Sequence, residues 1–171
     1  MEFIPQMEPL FGSEEKDAIN QYMEEGGWLT EFKRTSEFET RIAEYTGAKY
    51  CVVVNNGTIS LTLMAIAAGI KAGDEVIVPN FTMIATPNSV KMIGAIPVFV
   101  DVERETLCMD IECAKRAITP KTKAIFLVTA NGRYPKAGIE AFENLCKEKG
   151  LILLEDSAQS LGSWYPNGKH Q

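Results

Sequence analysis

At 171 residues, 46% of them hydrophobic and 23% charged, the chain has the make-up of an ordinary soluble domain, which excludes a disordered or fibrous one. A formal charge of -6 excludes an extended basic surface, so neither nucleic acid nor an anionic membrane is expected as a partner. Cys51, Cys108, Cys113 and Cys146 form no C-x-x-C pair and the single histidine, His170, cannot complete a zinc-finger spacing, so no metal site is expected.

No basic stretch followed by an apolar run opens the chain, and no apolar segment reaches the length of a membrane span. The expected location is therefore cytoplasmic. Asn56-Gly57-Thr58 and Asn80-Phe81-Thr82 match the glycosylation acceptor pattern, but without a secretory signal they have no route to that machinery. Residues 1–48 are expected to form a helical arm. Ser13, followed by Glu14 and Glu15, opens a helix whose Ile19, Tyr22 and Met23 share one face, and Gly26-Gly27 closes it. A second helix is expected to begin with Ser36 and Glu39 in capping-box register, to carry Phe38, Ile42 and Tyr45 on one face, and to stop at Gly47.

From residue 49 to residue 171 short β-branched runs alternate with helix-length segments. The runs are Tyr50–Val54, Glu75–Val78, Pro97–Val100, Lys123–Val128 and Leu151–Glu155. Between them lie Thr58–Ala68, Ala85–Ile93, Asp110–Ile118 and Gly138–Lys149, several of which end at a glycine such as Gly69, Gly94 or Gly150. The runs are continuously apolar, which suits strands covered on both faces. The expected class is α/β, three layers deep, with a mostly parallel sheet between two layers of helices. After the last run comes a loop rich in Gly, Trp, Tyr, Pro and Asn, with no covering helix, so this domain is expected to be interrupted rather than finished.

In open α/β sheets ligands gather beyond the carboxyl ends of the strands, which directs attention to the turns that follow them. Asn55-Asn56-Gly57-Thr58 follows a run and opens a helix, where free N–H groups, the Thr58 hydroxyl and the positive end of the dipole can hold a phosphate without any Lys or Arg. An ordinary N-cap explains the same residues. Asp156 follows Leu151–Glu155 directly, and a carboxylate at the edge of an apolar sheet needs a cation or hydrogen-bond donors to justify its burial. A protonated pyridine nitrogen is one such partner, and a helix cap or a solvated loop acid is the plainer alternative.

Competing motifs fail on spacing. No G-x-G-x-x-G follows the first run, and the segment from Gly162 to Gly168-Lys169 has its glycines one residue too far apart for a P-loop, with His170 in place of the Ser or Thr. A hydrolytic triad would have to use that same His170 close to the frayed end of the sequence.

Gly27-Trp28-Leu29-Thr30, Asn56-Gly57-Thr58, Gly73-Asp74-Glu75-Val76-Ile77-Val78-Pro79, Gly94-Ala95-Ile96-Pro97-Val98-Phe99-Val100-Asp101, Thr122-Lys123-Ala124-Ile125 and Glu155-Asp156-Ser157-Ala158-Gln159 resemble, in family order, the DegT/DnrJ/EryC1/StrS aminotransferases. The resemblance covers almost the whole chain. It implies an aspartate-aminotransferase-like large domain, incomplete over 49–171, that binds pyridoxal 5'-phosphate. It also implies a homodimer that moves an amino group from an amino acid, usually glutamate, to a nucleotide-linked keto sugar. Carried over by position, Gly57, Thr58 and Ile59 would hold the cofactor phosphate, Asp156 would pair with the pyridine nitrogen, and Gln159 would hydrogen-bond near the ring hydroxyl. Met83 stands where an aromatic residue often stacks on the ring, and a thioether lies there less rigidly.

Two departures accompany the resemblance. Thr129–Pro135 carries Asn131-Gly132-Arg133 in place of the commoner His-containing version. The family's Schiff-base lysine lies beyond the Asp-x-x-Gln element, and Lys71, Lys91, Lys121, Lys123 and Lys136 do not match it. These 171 residues alone are thus expected to lack aminotransferase activity, because the cofactor aldehyde has no covalent anchor. A sugar dehydratase of the same family, with histidine in place of that lysine, and a non-catalytic α/β binding domain remain the alternatives.

Overall fold

The computed structural model describes residues 3–5, 8–26, 28 and 33–168. Gly27, Leu29, Thr30, Lys169 and His170, which enter the motifs above, lie outside the described residues. The chain divides into two units, residues 1–51 and 52–171.

In the first unit helix α1 spans Ser13–Glu24 and helix α2 spans Lys33–Thr46. The Gly12 amide donates to Glu15 Oε2 at 2.6 Å, which satisfies one end of α1 from the third residue of its own first turn. The capping box expected at Ser36 and Glu39 does not mark the start of α2. The helix is already under way at Lys33, and the Ser36 carbonyl accepts the Thr40 hydroxyl at 2.9 Å. Arg34 reaches Glu37 at 3.1 Å and Arg41 reaches Glu37 at 2.6 Å, side-chain pairs at helical spacing that support the earlier turn.

In the second unit the order is α3 (Gly57–Ala67), β1 (Glu75–Pro79), α4 (Ala85–Met92), β2 (Ile96–Val100), α5 (Ile111–Ala117), β3 (Thr122–Val128), α6 (Ile139–Lys149) and β4 (Ile152–Asp156). The strands form one parallel sheet in the order β2-β1-β3-β4. Alternation along each strand sorts the side chains. Val76, Val78, Ala124, Phe126 and Leu154 pack with Leu61 and Ala65 of α3 and Ala85 and Val90 of α4. Ile77, Ile125 and Leu127 pack on the other face with Ala114 of α5 and Ile139, Phe142, Leu145 and Cys146 of α6. The three-layer parallel arrangement follows from these continuously apolar runs, which have a core on each side.

The run Tyr50–Val54 forms no strand. A strand is stable only in a ladder, both sides of β1 and of β3 are already taken, and this run pairs with neither β2 nor β4. Tyr50 and Val52 stand 76% and 77% exposed, so β-branched composition here lacks the burial that would make it count.

Glycines set two of the turns. Gly150 takes φ 65° at the end of α6, and its amide closes onto the Cys146 carbonyl. Gly94 takes φ 77° after α4, with the Ala72 Cβ only 3.0 Å from where its own Cβ would stand.

Candidate functional site

The connection through α4 leads from β1 outward to β2, and the connection through α6 leads from β3 outward to β4, in the opposite direction. The two helices pack on opposite faces of the sheet. The strand order therefore reverses between β1 and β3, and the crevice beyond their carboxyl ends is where open α/β sheets place ligands. Met83 lies in the loop after β1, Asn131 in the loop after β3, and Asp156 and Gln159 at and after the end of β4.

Helix α3 packs on the same sheet face as α4, and residues 68–74 link its C-terminus to the start of β1. Asn56 caps it in extended geometry, and its Oδ1 accepts the Ile59 amide at 3.0 Å. Of the three residues expected to hold a phosphate, Ile59 thus already has an acceptor. The Gly57 and Thr58 amides belong to the first turn, where no intrahelical acceptor is available.

Asp156 shares strand parity with Leu154, which places its carboxylate on the face covered by α3 and α4. Its Oδ2 accepts the Thr86 hydroxyl at 3.1 Å and its Oδ1 accepts the Ala158 amide at 3.3 Å. Thr86 is fully buried near the start of α4 and lies 3.0 Å, oxygen to oxygen, from the hydroxyl of Thr82 one turn earlier. The Asp156 carbonyl accepts the amide of Thr129 at 3.2 Å, which ties the end of β4 to the end of β3. Glu155 has the opposite parity. It receives the Tyr165 hydroxyl and the Ser157 hydroxyl, each at 2.8 Å, and burial, with the Glu155 charge second, pushes the Tyr165 hydroxyl far above its ordinary range.

Gln159 Oε1 accepts the Asn131 amide at 2.7 Å. An N–H can only donate, so this bond assigns oxygen to that end of the side chain and turns the Gln159 NH₂ the other way, as a donor. Asn131 holds φ 56°, and Gly132 follows at φ 70° with the Gln159 carbonyl 3.3 Å from where a Cβ would stand. Met83 is 73% exposed just before α4. Lys71, Lys91, Lys121, Lys123 and Lys136 are all exposed, and Lys136 pairs with Glu105 at 3.0 Å.

Sequence reasoning missed Thr86, Thr82 and the clamp of Asn131 on Gln159. The spacing of two threonines four apart at a helix start was the one available signal for the first pair. The clamp depends on a contact across 28 residues and left no signal.

A parallel α/β sheet with helices on both faces and a reversal of strand order between β1 and β3 defines the class of open α/β proteins that gather ligands beyond the carboxyl ends of their strands. Within that class, the chain belongs to the DegT/DnrJ/EryC1/StrS aminotransferase family, whose model matches residues 9–170. It is 40% identical over 166 residues to the GDP-perosamine synthase of Vibrio cholerae, covering 97% of this chain and 44% of that protein. The crystal structure of 3-amino-5-hydroxybenzoic acid synthase superposes with a TM-score of 0.88 at 32% identity, over 95% of this chain and 42% of its own. Spr1654 from Streptococcus pneumoniae in its PLP form superposes at 0.88 with 29% identity, over 97% of this chain and 45% of its own. The chain spans a little under half the length of these proteins. Among the described residues no helix is long and apolar enough to cross a membrane, and no three His, Cys, Asp or Glu side chains are grouped to hold a metal.

Proposed function

We propose that this chain forms the cofactor-binding part of a pyridoxal-phosphate-dependent aminotransferase that acts on a nucleotide-linked keto sugar with glutamate as amino donor. The observation that carries the reading is the carboxylate of Asp156, fixed by two donors on the sheet face that also carries the start of α3. The residues fit a flat, phosphorylated nitrogen heterocycle. The Gly57 and Thr58 amides and the Thr58 hydroxyl would hold the phosphate, and the dipole of α3, a helix that itself carries no Lys or Arg, would supply positive potential to the dianion. Asp156 would accept the ring N–H, the Gln159 NH₂, turned away from Asn131, would donate to the ring hydroxyl, and the exposed Met83 would lie against the ring.

When bound, pyridoxal phosphate supplies an electron sink that lets an amino group pass between an amino acid and a keto compound. The protein's part is to hold the ring in register and to keep a proton on its nitrogen through Asp156. The V. cholerae relative, named for a GDP-linked amino sugar, supports the nucleotide-sugar substrate. Leu63 and Ile66 on the outer side of α3 are 46% and 53% exposed, an apolar surface that suits the second subunit of a homodimer acting in the cytoplasm.

The test is titration of pyridoxal phosphate into the full-length protein, with a saturable absorbance change expected. Asp156→Asn removes a charge-assisted hydrogen bond worth about 1.5–3 kcal/mol, so amino transfer should fall by roughly tenfold to a hundredfold. No saturable change in the parent protein, or full transfer in the variant, defeats the reading.

A further inference from the structure

We infer that Thr86 is a positioning residue that aims the Asp156 carboxylate, and that the Thr82 hydroxyl fixes the direction of the hydrogen bond between them. The inference rests on the reading of Asp156 as acceptor for the cofactor's ring nitrogen. Thr86 is fully buried and its hydroxyl has two oxygen neighbours, Asp156 Oδ2 at 3.1 Å and Thr82 Oγ1 at 3.0 Å. A carboxylate can only accept, and the Thr86 hydroxyl has one proton. That proton goes to Asp156, and the Thr82 hydroxyl in turn donates to Thr86.

The relay has a fixed sense, and each donor in it polarises the next. On the other side of the carboxylate the Ala158 amide takes Oδ1 at 3.3 Å. One donor on each oxygen fixes the plane of the group, and each oxygen keeps a lone pair for a further donor. Among the described residues that hydrogen-bond Asp156, Thr86 reaches it from the helical layer, Ala158 from the adjoining turn and Thr129 from the end of β3. Thr86 is thereby the side chain that ties the orientation of the acid to α4, the helix that begins beside Met83.

A probe that lacks the ring nitrogen separates positioning from structure. Pyridoxal phosphate and its 1-deaza analogue, with carbon in place of that nitrogen, are titrated into full-length apo-protein as parent, Thr86→Val, Thr86→Ser and Asp156→Asn. Loss of a hydroxyl donor to a charged group predicts about tenfold weaker binding of pyridoxal phosphate by Thr86→Val. Its affinity for the deaza analogue should be unchanged, and Thr86→Ser should behave as the parent. If Thr86→Val does not fold, Thr82→Val carries the test, with a smaller loss again confined to the nitrogen-bearing ligand. Equal weakening of both ligands, or no weakening of either, overturns the role of Thr86. A parent protein that binds both ligands equally, with Asp156→Asn unchanged, instead overturns the reading of Asp156 and with it this one.

Discussion

Single residues at this site are legible from sequence to the extent that their signal is local. Asp156 could be picked out because it lies at the end of the run Leu151–Glu155, where the chain leaves an apolar segment, and the cap at Asn56 because its partner is three residues away. Thr86 meets Asp156 across 70 positions, and no property of either neighbourhood announces that contact. Asn131 is intermediate. Its left-handed backbone suits an Asn, whose short side chain tolerates that region, but its grip on Gln159 is tertiary. Asn131→Val should cost roughly 1–2 kcal/mol, the penalty of forcing a branched side chain into the left-handed region, and Asn131→Gly should be nearly neutral. Urea unfolding of the full-length variants measures both, and equal stabilities for the two would show that the backbone conformation of this loop carries no strain.

At the scale of elements, the four helices of the second unit begin and end within a residue or two of the expected positions, because caps and glycines act locally. Asp110 is the clearest case: its Oδ1 accepts the amides of Glu112 and Cys113 at 2.8 and 2.9 Å. The Cys113 bond is the chief reason the Asp110 carboxyl titrates below its ordinary value. The cap therefore contributes its full stability above the ordinary aspartate range and loses it as pH falls through the lower folded value. Asp110→Ala should cost about 1 kcal/mol at neutral pH, and parent and variant should converge under acid. Denaturant melts at the two conditions give the comparison, and a pH-independent difference would point to packing rather than capping. Tyr50–Val54 marks where element reading fails, since composition reports a readiness to extend and only a neighbouring strand turns that into a ladder.

Over the whole second unit, one sheet carries two separate cores. Phe126 is fully buried on the α3 and α4 side, and Phe142 is fully buried on the α5 and α6 side. Either phenylalanine changed to alanine should cost about 3–5 kcal/mol. Cys146 lies in the second core and burial pushes its thiol up to about 11, so it reacts with thiol reagents only when that layer opens. Phe142→Ala should speed its labelling markedly in the full-length protein, and labelling at the parent rate would mean that the layer does not open as one body. The sequence alone determined the α/β class, the parallel character of the sheet and the helix boundaries of the second unit, and it pointed to two turns as candidates for a ligand, because hydrophobic period and capping act over a few residues. Tertiary structure alone decided the strand order that opens a crevice between β1 and β3, the shared face of Asp156 and the start of α3, and the hydroxyl that aims the acid. Those depend on which distant segments meet, and that is settled by how apolar faces pack rather than by any pattern within one segment.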